Sequence, residues 1–159
     1  MRWLAAILLS VGTPSDPHIP VVGSVIESFR APACTRCAGR RGVVIATSPQ
    51  SPVWAVHPGV VSFVGSVARQ KYVVFDIAHG VKVTYGWVDD IFVSDGDIVS
   101  RGLTVASTGR RMYLGVRVQG RYVEPLGYLR LSSSGLTGPG WVSPIAVRRL
   151  FVGRGGFSR

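Results

Sequence analysis

The side chains able to do acid–base, nucleophilic or metal chemistry are few and widely spaced. Histidine occurs at His18, His57 and His79, and cysteine as the pair Cys34-x-x-Cys37. A catalytic zinc takes about three protein ligands and keeps one position open for water. His57, His79 and Asp76 would reach that number. Yet His79 precedes Gly80 in a tight turn, and His57 sits between Val56 and Pro58 at a strand edge. Structural or solvated roles are expected for both, and His18 belongs to a leader or linker. Neither His57 nor His79 lies in a recognisable nucleophile context, so a serine or cysteine triad is not expected. A structural zinc at Cys34 and Cys37 would need four ligands, and no second cysteine pair or nearby histidine supplies them. A thioredoxin-like role would place the pair at a helix start after a strand, which PACTRCAG does not resemble. If the chain is exported, a local disulfide is the plain reading, with two reduced thiols as the alternative.

Arginine is the abundant functional residue. Eighteen basic residues face eight acidic ones, giving +10, and only Lys71 and Lys82 are lysines. Guanidinium groups grip planar anions such as carboxylates and phosphates with two hydrogen bonds. The charge therefore implies an acidic partner without naming it.

The elements that position these groups read as β-structure. With 159 residues the chain makes about one domain, and 47% hydrophobic against 16% charged residues excludes wholesale disorder. No apolar run approaches the ~18–20 residues that a membrane span requires. Twenty glycines and ten prolines argue for short strands joined by turns. Strands are expected at Val60 to Val64, Tyr72 to Ile77 and Val81 to Tyr85, the last two joined by a hairpin at His79-Gly80. Shorter ones are expected at Ile91 to Val93, Ile98-Val99, Thr104 to Ser107 and Met112 to Val118, the last pairing with Arg121 to Val123 across Gln119-Gly120. No window carries an amphipathic helical stripe over three turns. An all-β fold, a small barrel or sandwich, is the expected class.

Four segments follow from composition. Residues 1–20 have a minimal positive start at Arg2, an apolar stretch from Leu4 to Val11 and small or polar residues at Gly12 to Asp16, as in a secretory signal. A buried N-terminal segment is the alternative. Residues 21–38 read as an irregular approach containing Cys34 and Cys37, and 39–129 as the β domain. Residues 130–159 read as a flexible basic tail whose charges are Arg130, Arg148, Arg149, Arg154 and Arg159.

The order of the turns carries a resemblance. Pro52 to Val56 with Gly59-Val60-Val61, then Val73 to Gly80, Thr84-Tyr85, Val93 to Gly102, Gly109 to Arg117 and Tyr122 to Leu126 follow one another. In that order and spacing they resemble the lysostaphin/LytM-type peptidoglycan metalloendopeptidases, peptidase family M23, over roughly residues 39–129. The resemblance implies a LytM-like β domain of the duplicated hybrid motif type, with a zinc site on the floor of a groove that receives peptidoglycan cross-links.

The same alignment removes the chemistry. The family's H-x-G-x-D stretch falls on Arg40-Arg41-Gly42-Val43-Val44, so its zinc histidine is Arg40 and its aspartate Val44. The late H-x-H falls on Arg111-Met112-Tyr113, so the third ligand is Tyr113 and a catalytic histidine is Arg111. Another helper histidine falls on Trp87. Arginine and valine offer no lone pair, and a guanidinium places positive charge where the cation would sit. Without zinc, nothing lowers the pKa of water from ~15.7 towards ~7. Zinc is thus the cofactor the family implies, and its ligands are absent.

The expected groove floor holds Arg40, Val44, Trp87, Arg111 and Tyr113, with Arg41 and Arg110 nearby. Arginine beside aromatic rings suits carboxylates of stem peptides, acidic wall polymers or an acidic patch on a protein. Degenerate members of such a family act as activators or scaffolds of wall hydrolases. The resemblance therefore implies a non-catalytic, secreted or envelope-associated module that binds peptidoglycan or acidic cell-wall polymer, or regulates a cell-wall hydrolase. The alternatives are a zinc endopeptidase with an unorthodox ligand set, simply solvated arginines, and non-specific nucleic-acid binding, for which no reading motif is present.

Overall fold

The computed structural model describes residues 19–34, 36–77 and 80–134, with the side chains of 131–134 left aside. The expected leader, apart from Ile19 and Pro20, lies outside the described residues, as does the basic tail beyond 134. Nine strands follow in order: β1 (Gly23–Glu27), β2 (Val43–Thr47), β3 (Ser51–Trp54), β4 (Gly59–Val67), β5 (Gln70–Ile77), β6 (Val81–Ile91), β7 (Ile98–Val99), β8 (Thr104–Val118) and β9 (Arg121–Val123). They form one antiparallel sheet in the order β1-β2-β8-β6-β5-β4-β7, with β3 and β9 also pairing with β8. The fold is β-sheet throughout apart from one short helix, in keeping with the all-β class expected.

β8 is its spine. Separate strands were expected at 104–107 and 112–118, but the chain runs extended through the polar stretch Gly109-Arg110-Arg111. That stretch breaks the apolar pattern while its backbone keeps pairing, Arg111 with Ala46 of β2 and Thr108 with both Ser51 of β3 and Val88 of β6. Ile91 closes the long β6, so no strand forms at 91–93.

β1 lies in the stretch expected to be irregular. It pairs with β2 through Ser24 and Ala46, Val25 and Ile45, and Glu27 and Val44. As an edge strand it leaves Val25 and Ile26 exposed, and no apolar alternation marks it in the sequence.

The second departure is a helix, α1 (Pro125–Ser134), so the expected tail boundary at 130 falls inside an element. Proline suits a first helical position, where its missing N–H costs nothing. The Glu124 carboxylate accepts hydrogen bonds from the Leu126 and Gly127 amides at 3.1 and 2.5 Å, capping two orphan donors. Leu129, fully buried, anchors α1 in the core.

Alternation along the strands sends one set of side chains to the core. Val43, Ile45, Val73, Phe75, Val83, Tyr85, Met112, Leu114 and Val116 make up most of it. Tyr85 is the polar member. Its hydroxyl donates to the Trp54 carbonyl at 3.1 Å and accepts from the Val56 amide at 3.2 Å, and its ring lies 4.9 Å from that of Phe75. Burial raises its pKa, partly opposed by the Val56 bond. The turn between β8 and β9 has Gln119 and Gly120 both at positive φ, 46° and 83°, the geometry that matches strand twist in two-residue hairpins. At the expected hairpin between β5 and β6, His79 lies outside the described residues.

Candidate functional site

The sheet face turned away from the core carries the site. Val44 of β2 pairs with Tyr113 of β8, Tyr113 with Gly86 of β6, and Gly86 with Tyr72 of β5. Paired residues in an antiparallel sheet point to the same side. A row therefore crosses four strands, running from Val44 to Tyr72. A β-bulge between Gly86 and Val88 swings Trp87 into it, with a left-handed backbone of φ 61°. The indole Nε1 donates to the Tyr72 hydroxyl at 3.2 Å. Its ring lies 5.7 Å from that of Tyr113, and the Arg111 guanidinium carbon sits 5.0 Å from the indole centroid.

Glycines make room for this row. A Cβ on Gly42 would stand 2.6 Å from the Tyr113 ring, and one on Gly86 would stand 2.4 Å from the Tyr72 ring. Both tyrosines thus lie against bare backbone. Substitution at either glycine would drive a ring out of place.

The expected site residues are not all together. Trp87 lies against both Arg111 and Tyr113, and Val44 lies beside Tyr113, only 2% exposed. Arg40 is held one strand further out. Its Nε lies 3.0 Å from a Glu27 carboxylate oxygen, and its Nη1 donates to the Ser28 carbonyl at 3.3 Å. Arg41 lies 5.6 Å from the centroid of Tyr122 on β9, and Arg117 flanks the same ring at 5.9 Å. Tyr72 and Tyr122 were not foreseen as site residues. Pairing with a glycine across the sheet is the signal for Tyr72, and it needs the register of β5 against β6.

Burial pushes the pKa of Tyr113 up to about 12, helped by the neighbouring Tyr122 and Tyr72 and opposed by Arg41. At neutral pH the side chain is a phenol. A raised folded-state pKa means that the unfolded chain loses this proton first, so folding stability falls as pH climbs from about 10 towards about 12. Tyr113→Phe should flatten that fall, read as a smaller drop in Tm between pH 9 and 11.5. Equal slopes in parent and variant would contradict the burial of Tyr113.

His57 and Asp76 do not converge. His57 is buried beside Phe75, Ile77, Val83 and Tyr85 on the core side. Asp76 points to the other face, where one carboxylate oxygen accepts from Ser62 Oγ at 3.0 Å and from Lys82 Nζ. His79 and His18 lie outside the described residues. Cys34 and Cys37 form a disulfide, with Cα atoms 4.9 Å apart.

The residues at the family's ligand positions do not fit zinc. Val44 has no donor atom, Arg40 is a cation bound to Glu27, and Tyr113 is a phenol whose ionisation burial opposes. Among the described residues no group of three or more His, Cys, Asp or Glu stands close enough to hold a metal.

No significant match is found among curated proteins. Solved structures are similar. A zinc-containing peptidase from Vibrio cholerae is 26% identical over 69% of this chain and 38% of its own length, with TM-score 0.59. The chain thus spans well under half of that protein. The catalytic domain of the prophage-encoded M23 protein EnpA from Enterococcus faecalis is 21% identical over 65% of this chain and 89% of that one, with TM-score 0.56. A chain in the SpoIIIAH–SpoIIQ complex is 18% identical over 69% and 97%, with TM-score 0.62. The sequence profile of peptidase family M23 matches residues 38–125, which hold β2 to β9 and every residue of the aromatic row. By that match over more than half its length, the chain belongs to peptidase family M23.

Proposed function

We propose that this chain is a non-catalytic M23 module, exported to the cell envelope, that binds cell-wall material or regulates a cell-wall hydrolase through the face bearing Trp87, Arg111 and Tyr113. The observation that carries the reading is the Arg111 guanidinium stacked 5.0 Å from the Trp87 ring, beside a buried Val44 where the family has a zinc ligand. A cation held on an aromatic face keeps its N–H fork free in direction for a carboxylate, the group that stem peptides and acidic wall polymers present. Protein partners are compatible with the fold, since the SpoIIIAH–SpoIIQ structure is a complex of two proteins. No helix among the described residues is long and apolar enough to cross a membrane.

Co-sedimentation with purified peptidoglycan tests the wall-binding form. The parent chain should pellet with the sacculi, and Trp87→Ala or Arg111→Gln should weaken retention about tenfold, matching the ~0.5–2 kcal/mol of such a stack plus the lost charge. A hydrolase partner would show instead as faster wall solubilisation when the chain is added to that enzyme, lost in the same variants. The second reading, a zinc endopeptidase with other ligands, predicts stoichiometric zinc removable by chelator and cleavage of cross-linked wall that stops with it. That result would overturn the proposal.

A further inference from the structure

Beyond the aromatic row lies a cleft of about 370 Å³ between the disulfide loop and the β8–β9 hairpin. Its two walls differ in chemistry. Ala31 to Cys34 supply small apolar groups on one side, and Arg41, Arg121 and Tyr122 stand on the other; no acidic residue lines it. We propose that this cleft binds a small carboxylate ligand with short apolar side groups, of the kind presented by the C-terminal end of a short peptide.

The cationic wall is built to hold its groups in place. Arg41 and Arg117 flank the Tyr122 ring at 5.6 and 5.9 Å, and Arg117 and Tyr122 are register partners in the β8–β9 ladder. Stacking fixes the plane of a guanidinium, and a planar guanidinium edge matches a carboxylate in two parallel hydrogen bonds. Arg121 adds a second charge at the mouth, next to the tight turn at Gly120.

The apolar wall is also fixed. The disulfide closes Cys34 on Cys37, and Arg30 and Arg40 exchange two backbone hydrogen bonds of 3.0 and 2.8 Å at the base of the loop. Gly39 packs so closely on Pro32 that a Cβ there would stand 2.7 Å from it. A wall of alanine, proline and disulfide beside arginines selects against a bare, fully hydrated anion and for one with small alkyl groups. The volume sits at the low end of the ~300–1,000 Å³ of small-molecule pockets, which suits a dipeptide better than an oligosaccharide. Ala31 to Cys34 precede the segment 38–125 that the family profile matches, so half of the lining residues lie outside that segment.

Titration of the intact chain with N-acetyl-alanyl-alanine, followed by calorimetry or by NMR shifts at about 150 mM salt, tests the site. Saturable binding of the free acid is expected, with its C-terminal amide at least tenfold weaker. Arg121→Gln should weaken the acid about tenfold, and Arg121→Lys, which keeps the charge but not the fork, by less. Cys34→Ser with Cys37→Ser should weaken it severalfold by loosening the wall. The proposal is overturned if the amide binds equally, if Arg121→Gln has no effect, if inorganic phosphate displaces the peptide at equal concentration, or if no saturable binding occurs. Retention on sacculi is scored in the same variants, so that failure of this site and failure of the wall-binding reading are seen separately.

Discussion

Val44→Asp should lower folding stability by about 3–5 kcal/mol at neutral pH, the cost of a carboxylate buried without a counter-charge. Val44 is 2% exposed and pairs with Tyr113 on one side and Glu27 on the other, whose carboxylate is already held by Arg40. Burial would raise the pKa of the new carboxyl above its ordinary ~3.9. For an acid with a raised folded-state pKa, the deficit is full above that pKa and vanishes below the unfolded value. Urea unfolding should therefore show the variant far weaker than the parent at pH 7 and closer to it at pH 4.5. Parent-like stability at pH 7 would contradict the burial of Val44. Supplying the family's other two ligands turns the same carboxylate into an asset. The triple variant Arg40→His, Val44→Asp, Tyr113→His should gain stability on adding zinc, about 2.7 kcal/mol at 100 times its Kd, whereas Val44→Asp alone should not respond.

Leu114→Ala should destabilise by about 2–5 kcal/mol, since a fully buried leucine in the second half of β8 leaves a cavity that neighbours on several strands cannot close. Leu114 pairs with Val43 of β2 and with Tyr85 of β6, so its neighbours belong to both halves of the sheet. Arg111→Gln, three residues earlier on the exposed face, should leave stability within about 0.5 kcal/mol of the parent. Denaturant midpoints of the two variants measured side by side check both statements. Equal losses would show that the core and the outer face of β8 are not energetically separate.

The contrast explains what could be read from the residues alone. Turn chemistry is local, so the order of Gly59, Gly80, Gly96, Gly102 and Gly120 between β-branched runs was legible, and with it the all-β class. Motif order likewise singled out positions 40, 44, 87, 111 and 113. Register is not local. Nothing near Tyr72 in the chain says that it faces Gly86, nor near Arg40 that Glu27 will draw its guanidinium outward. β1 escaped because both its faces are largely exposed, which erases alternation. α1 escaped because its start depends on one capping carboxylate and its anchoring on Leu129 with Leu126 and Tyr128 partly buried beside it, a cluster too short for a periodicity to register.

Trp87 holds a left-handed backbone that ordinary side chains avoid, at a cost of about 1–3 kcal/mol drawn from the stability of the whole sheet. That cost is met once, at folding, whether or not anything occupies the face. An arriving ligand finds the indole already turned outward, tethered by Tyr72 and shadowed by Arg111. The ~0.5–1.5 kcal/mol that each loose side chain normally surrenders on complex formation is then largely spared. Such a surface behaves as a rigid die, and small changes in ligand shape should matter to it more than changes in ligand size.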